Sequence, residues 1–324
     1  MANELYPVKM NPAFKDYIWG GERLIKEWGK KCPYPIAAES WELSGHKNGQ
    51  SIAANGSFKG LTLNQLVEKW GKACLGVNSK DSDRFPILIK LIDSKQKLSI
   101  QVHPNDEYSM RVEGEFGKTE MWYVAGANDD SGLLCGFKKD ITKEEYKKRI
   151  ADNTLIEVLN FIPVKKGDVF FIPPGTVHAI CEGTIIAEIQ QNSDITYRVS
   201  DYGRLGADGK PRELHIEKAL EVSRLKADNY DGKSLGKPQV KDGYTKKLLA
   251  QCKYFTVFEL NIDTNCKLEA TQETFNAITF VEGNGEISWG DNTEKFKKGD
   301  TFFIPASLGE YNINGKSVAI LSLV

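Results

Sequence analysis

One nine-residue pattern occurs twice in this chain, and it limits the folds available. VKKGDVFFIPPGTVHAI (164–180) and FKKGDTFFIPASLGEYNI (296–313) share K-K-G-D-x-F-F-I-P, 132 residues apart. A second echo sets MWYVAGA (121–127) against ITFVEGN (278–284), each an apolar run that closes near a glycine. Repetition of strand-like segments implies two related β units. Within each unit the Lys-Gly-Asp step predicts a tight turn: glycine supplies a positive φ, and aspartate bonds back to its own backbone. The run V/T-F-F-I then enters a strand and proline bends it out again. Short strands bounded by such turns predict a mainly β fold, a sandwich or a barrel.

Helical patterns interrupt the β segments. LTLNQLVEKWGKACLG (61–76) has apolar spacing near 3.6 and ends on Gly76; TKEEYKKRIADNTLIEVLN (142–160) offers Thr142 as N-cap and acids in its first turn. PRELHIEKALEVSRL (211–225) begins with proline, as a first helical turn permits, and there His215 is read as a capping or packing residue. The polar, glycine-rich stretch 226–243 reads as a linker, which divides the chain into a larger first unit at 1–235 and a second β unit at 236–324. A net charge of −1 favours neither nucleic acid nor an anionic membrane as partner, and no apolar run approaches the ~20 residues of a bilayer span. The start of the chain lacks the pattern of an export signal, and six scattered cysteines (Cys32, Cys74, Cys135, Cys181, Cys252 and Cys266) include no C-x-x-C pair. The expectation is a cytoplasmic protein with reduced thiols.

Chemistry enters with the histidines, of which there are four. In KLSIQVHP, Gln101 and His103 share one face of a strand, with Ile100 and Val102 on the other. Glu120 opens a further strand and His178 follows the Pro-Pro-Gly bend. Two imidazoles, a carboxylate and an amide oxygen converging from separate strands would hold one divalent metal, zinc by default. The second repeat acts as a control. His178 aligns with Glu310, Glu120 falls near Ala277, and that half contains no histidine. The ligands therefore serve something that only the first unit does.

The ordered stretches YPVKMNPAFKDYIWGG, AESWELSGH, FPILIKLIDSKQKLSIQVHP, GKTEMWYV, IPPGTVHAI and SDITYRVSDYGR resemble the type I mannose-6-phosphate isomerases, in the short bacterial form built from cupin barrels. They span residues 6 to 204. The resemblance implies a fold of two jelly-roll barrels and a zinc enzyme that interconverts mannose 6-phosphate and fructose 6-phosphate through an enediolate. Its zinc ligands fall on Gln101, His103, Glu120 and His178, and its charged active-site positions on Lys90, Lys118, Asp194 and Arg198. Where longer members read K-P-E, this chain has Lys118-Thr119-Glu120. Arg198, a permanently charged forked donor, suits phosphate or enediolate oxygens. Asp194, Thr196 and Arg198 share parity and would face one side of a strand. Lys90 lies in the apolar run FPILIKLI, where burial would turn it into a base or leave it to pair with phosphate. For the proton shuttle the candidates are Lys118, Asp194 and His103, with Lys118 or a water at the metal preferred over a metal-bound imidazole. Trp41 could stack on the sugar, Ser44 bond a phosphate oxygen, and His46 belongs to the same segment.

Two other readings use the same ligands. An iron cupin oxygenase needs two His and a carboxylate but has no use for the cations Lys90, Lys118 and Arg198. A non-catalytic metal-binding bicupin, such as a sugar sensor, needs no Asp194/Arg198 pair.

Overall fold

The computed structural model describes residues 4–79, 82–206, 209–228 and 230–324; of the expected linker, Asn229 lies outside them. The fold is mainly β with short helices, and both repeats form the turn their sequences call for. Gly167 and Gly299 adopt φ of 91° and 90°. The carboxylates of Asp168 and Asp300 each accept the backbone N–H of the lysine three residues earlier, at 2.9 Å.

In the first unit two antiparallel sheets face each other. The larger runs in the order Val169–Ile172, Glu120–Ala127, Thr184–Gln191, Ile87–Ser94, Glu39–Leu43, Ala13–Lys15. The smaller runs Leu159–Pro163, Gly132–Phe137, His178–Ile180, Ile100–Val102, Tyr197–Ser200. Trp122, Val124, Phe170 and Ile186 from one pack on Leu133, Cys135 and Ile180 from the other. All eight residues of Ile87–Ser94 and of Thr184–Gln191 are buried, which explains their nearly unbroken apolar runs.

The second unit builds its main sheet along the path Gln239–Lys241, Tyr244–Gln251, Thr256–Ile262, Ser317–Leu323, Asn276–Trp289, Thr301–Ile304. Two further strands complete that path, and both come from the other end of the chain. Val8–Asn11 pairs with Thr301–Ile304 on one side and with Ile52–Ala53 on the other.

Strand register corrects the alignment of the two repeats. Ile172 pairs with Glu120, and its repeat mate Ile304 pairs with Asn276, so Glu120 corresponds to Asn276 and not to Ala277. His178 pairs with Gln101 across its sheet as Tyr311 pairs with Leu268. Glu310, the expected mate of His178, instead points outward to Lys267 at 2.6 Å. The four positions expected to hold a metal therefore read Leu268, Ala270, Asn276 and Tyr311 in the second unit. Asn276 Nδ2 donates to the buried Tyr311 hydroxyl at 2.7 Å, so a neutral hydrogen bond fills the space.

The helices are shorter than their patterns. The first is Leu63–Trp70, opened by a reciprocal Thr62–Gln65 cap and ended at Gly71 before a 3₁₀ turn, five residues short of Gly76. The second, Lys143–Ala151, has Thr142 as its cap; Leu155–Val158 is a separate 3₁₀ turn that leads into a strand. The third, Ile216–Val222, starts five residues after Pro211, because residues 211–215 are taken up beside Arg198. No described helix is long and apolar enough to cross a membrane.

Candidate active site

Where the two sheets of the first unit meet, His103, Glu120 and His178 converge, all buried, with ligand atoms within 4.8 Å of one another. His103 Nε2 lies 3.4 Å from Glu120 Oε1, and His178 Nε2 lies 3.8 Å from Oε2. Each imidazole uses its other nitrogen to donate to a backbone carbonyl: His103 Nδ1 to Ile195 at 2.7 Å, His178 Nδ1 to Thr176 at 2.9 Å. Those bonds aim both Nε2 lone pairs at the centre of the cluster, the arrangement a metal-ligating histidine needs. Burial holds both rings below the usual histidine range, most strongly His103, where the charge of Lys118 adds to it. Burial alone would raise the Glu120 carboxyl, but the ammonium of Lys118 beside it, with Lys90 further off, more than offsets this, so Glu120 stays ionised. Glu120 Oε2 accepts no hydrogen bond although fully buried. Two neutral imidazoles and a carboxylate with an orphaned oxygen are a donor set suited to a divalent cation.

Gln101 completes the group from the neighbouring strand, its Nε2 lying 3.4 Å from His178 Nε2. Turning its amide over presents the oxygen instead. Lys118 precedes the strand that Glu120 opens, yet its side chain reaches the same place. Its Nζ is 2.5 Å from Glu120 Oε1 and 3.5 Å from His103 Nε2.

Gln101 and Lys118 open onto a cleft of about 290 Å³. Trp41, Lys90, Asp194, Thr196 and Arg198 also line it. The shared parity of the last three holds, although the regular strand begins only at Tyr197. Asp194 is held by Asn48 Nδ2 at 2.5 Å and lies 3.5 Å from His46 Nε2. Arg198 is fixed from its far side: its backbone N–H donates to His215 Nδ1 and its Nη1 to the Glu213 carbonyl. His215 stands at the N-cap of the third helix, as expected, but its side chain makes no capping bond and braces Arg198 instead. No described carboxylate pairs with Arg198 within ion-pair distance. Arg212 and Arg204 share the single carboxylate of Asp201 nearby, at 2.5 and 2.6 Å. Burial, and then the charge of Arg212, press on the Arg198 guanidinium, so an incoming anion is welcome there.

Two sequence expectations meet a different arrangement. Ser44 is fully buried in a hairpin, donating to the Gly49 carbonyl at 2.5 Å, and is not part of the cleft wall. Trp41 does line the cleft, but it is 1% exposed and its ring already faces Lys15 Nζ at 4.6 Å and Lys90 Nζ at 5.1 Å. Lys90 keeps its proton. Burial works against the charge, but Glu39 and Glu188 more than reverse this and hold the ammonium above the usual lysine range. Those two glutamates, with Tyr17 and Arg212, are cleft residues that no local sequence pattern singles out. Glu188, a lone acid inside TIIAEIQQ, nevertheless carries the same signal as Lys90, a charge in an apolar strand.

Comparison with known proteins bears on this geometry. A family model of the type I phosphomannose isomerase catalytic domain matches residues 8–139, and one of the mannose-6-phosphate isomerase cupin domain matches residues 244–324. Mannose-6-phosphate isomerase ManA of Bacillus subtilis is 39% identical over 317 residues, 98% of each chain. The mannose-6-phosphate isomerase of Streptococcus mutans is 35% identical over 323 residues, again 98% of each. The crystal structure of the mannose 6-phosphate isomerase from Bacillus subtilis superposes with a TM-score of 0.90 at 37% identity, covering 98% of this chain and 99% of that one.

Proposed function

The chain belongs to the type I phosphomannose isomerases, metal-dependent enzymes of sugar phosphates, and from that premise we propose zinc as its metal and a role for each charged group of the cleft. The observation that carries the reading is one cleft lined both by Gln101 and Lys118, which lie against the His103/Glu120/His178 cluster, and by Arg198, which no described carboxylate pairs. An oxygenase or a sensor has no need of the second.

Gln101, His103, Glu120 and His178 would hold the zinc, which when bound supplies Lewis-acid polarisation of sugar oxygens. Arg198 binds anionic oxygen of the substrate, phosphate or developing enediolate, with its guanidinium already ordered by His215 and Glu213. Lys118, beside the metal cluster and facing the cleft, carries the proton between C1 and C2; Asp194 orients the sugar hydroxyls at the rim. Lys90 donates from the cleft floor, with Trp41 beneath it. Ser44 holds the hairpin that carries His46 towards Asp194, and so shapes the pocket without touching substrate. Residues 1–235 form the catalytic unit and 236–324 its metal-free copy, with the first strand lent to the second sheet. The setting is cytoplasmic, and neither nucleic acid nor membrane is a partner.

The test is conversion of mannose 6-phosphate to fructose 6-phosphate before chelation, after it, and after zinc is restored. Loss and recovery are expected. Arg198→Ala should lower kcat by about two to three orders of magnitude and leave metal content unchanged. Turnover that survives full metal removal refutes the metal role. An Arg198→Ala enzyme with normal kcat refutes the anion role.

A further inference from the structure

A single row of side chains crosses the cleft floor from strand to strand. Trp41, Lys90, Glu188 and Trp122 are direct cross-strand neighbours on four adjacent strands. Glu39 lies two residues before Trp41, on the same face. All five are at most 8% exposed. Lys90 Nζ sits between the two acids, 3.4 Å from Glu39 Oε2 and 3.3 Å from Glu188 Oε1. Each acid is in turn fixed by an indole: Trp41 Nε1 donates to Glu39 Oε2 at 2.6 Å, and Trp122 Nε1 to Glu188 Oε2 at 2.9 Å. Trp122 also stands edge-on to the His178 ring, with centroids 5.2 Å apart.

Burying a lysine requires one counter-charge. Here there are two, so the cluster carries a net charge of −1 in a cleft that must admit a phosphate ester. Such a floor repels phosphate and leaves it to the Arg198 end. Both contacts are ion pairs, and Glu188 Oε1 accepts no hydrogen bond; of the three donors of the ammonium, at least one is left for a ligand oxygen.

We propose that Glu39 and Glu188 are positioning residues that clamp Lys90 as a fixed ammonium donor to an uncharged oxygen of the sugar, a hydroxyl or the carbonyl. Lys90 then neither removes the substrate proton nor anchors the phosphate. The inference rests on the isomerase reading and adds to it which end of the substrate meets the floor. The charged and titratable groups facing Lys90 are Glu39 and Glu188 from the two neighbouring strands, Glu120 from the strand beyond, and Tyr17. Three of the four are acids, and all four favour the ammonium.

The experiment uses the metal-loaded, full-length enzyme with ¹⁵N-labelled lysine. A clamped ammonium exchanges its protons slowly and gives a ¹H–¹⁵N signal, which is assigned by its loss in Lys90→Met. That signal is expected in the wild type at about pH 8, well below the ordinary lysine pKa. Glu188→Gln and Glu39→Gln should each erase it and lower kcat about 10- to 100-fold, the scale of a displaced electrostatic donor. KM should move less than about threefold, because the donor acts on the reacting end and not on the phosphate. Glu188→Asp, which keeps the charge but draws it back, should recover part of both. Metal content and thermal midpoint, measured alongside, separate a loosened clamp from a lost fold. A wild type without the signal overturns the proposal even if neither variant folds. A signal and kcat that survive both variants, or normal kcat in Lys90→Met, overturn it equally. Wild-type turnover of mannose 6-phosphate tests the isomerase reading separately.

Discussion

The strand that presents Glu39 and Trp41 to the cleft turns Glu42 the other way, into the junction between the two units. Glu42 is fully buried. Its Oε1 lies 2.5 Å from Lys30 Nζ and accepts from Ser40 Oγ at 2.6 Å; its Oε2 accepts from Thr301 Oγ1 at 3.2 Å. Lys30 also donates to the Gly299 carbonyl at 2.5 Å, so both partners reach the second repeat. Lys30→Met leaves that carboxylate buried with two hydroxyls as its only donors. Removing one member of a buried pair costs about 3–5 kcal/mol, and the surviving hydroxyl bonds place this case near 3. With about 2–4 °C per kcal/mol for a chain of this class, the midpoint should fall by about 6–12 °C. Urea unfolding of the wild type, Lys30→Met, Glu42→Gln and the double variant forms a thermodynamic cycle. The double variant, with no charge left to strand, should lie within about 2 kcal/mol of the wild type, giving a coupling energy of at least about 2 kcal/mol. Since both side chains point away from the cleft, kcat should not change. A Lys30→Met loss below about 1 kcal/mol would mean that the pair behaves as an exposed one and would refute the burial argument.

Two further outcomes follow from other contacts. Burial raises the Asp201 carboxyl, but Arg212 and Arg204 more than reverse this and hold it below the ordinary range. Its contribution is therefore complete above the unfolded value near pH ~4 and is lost as pH falls through the lower folded value. Asp201→Asn should be less stable than the wild type by about 1.5–3 kcal/mol at neutral pH. Unfolding midpoints taken down to pH ~3 should show that gap closing; a constant gap speaks against the clamp. In the second unit, Tyr311→Phe removes the hydroxyl that Asn276 Nδ2 donates to. It should cost about 1–3 kcal/mol in denaturant unfolding and leave isomerase activity and metal content untouched; a fall in metal content would mean that the second unit takes part in binding.

The sequence revealed the repeat, the turns within it and the convergence of His103, Glu120 and His178 because each is a local pattern with one physical cause. A glycine between lysine and aspartate forces a turn, and two polar residues at period two in an apolar strand must meet something polar on the face they share. What it hid depends on register. Glu310 seemed to match His178 because counting from the shared K-K-G-D assumes equal bends, whereas the second bend brings Tyr311 inward. Glu39 and Glu188 join Lys90 only through three strands whose alignment nothing local specifies. Ser44 looked like a phosphate ligand because a serine near an aromatic residue has that chemistry available, and only the hairpin shows its hydroxyl already engaged by Gly49. Pro211 promised a helix start, but backbone between Pro211 and His215 is drawn aside to brace Arg198.

The strand Val8–Asn11 has a consequence in time. One edge finds its partner early, in Ile52–Ala53; the other waits for Thr301–Ile304. At ribosomal rates of about 5–20 residues per second, that interval is roughly 12–50 s, long beside the formation of any single hairpin. Through it, Val8 and Met10 have a sheet edge without a neighbour. The catalytic half is thus synthesised before its own first strand can be closed in. Residues 301–323, emerging long after, then finish the second sheet and, through it, the seat of the first.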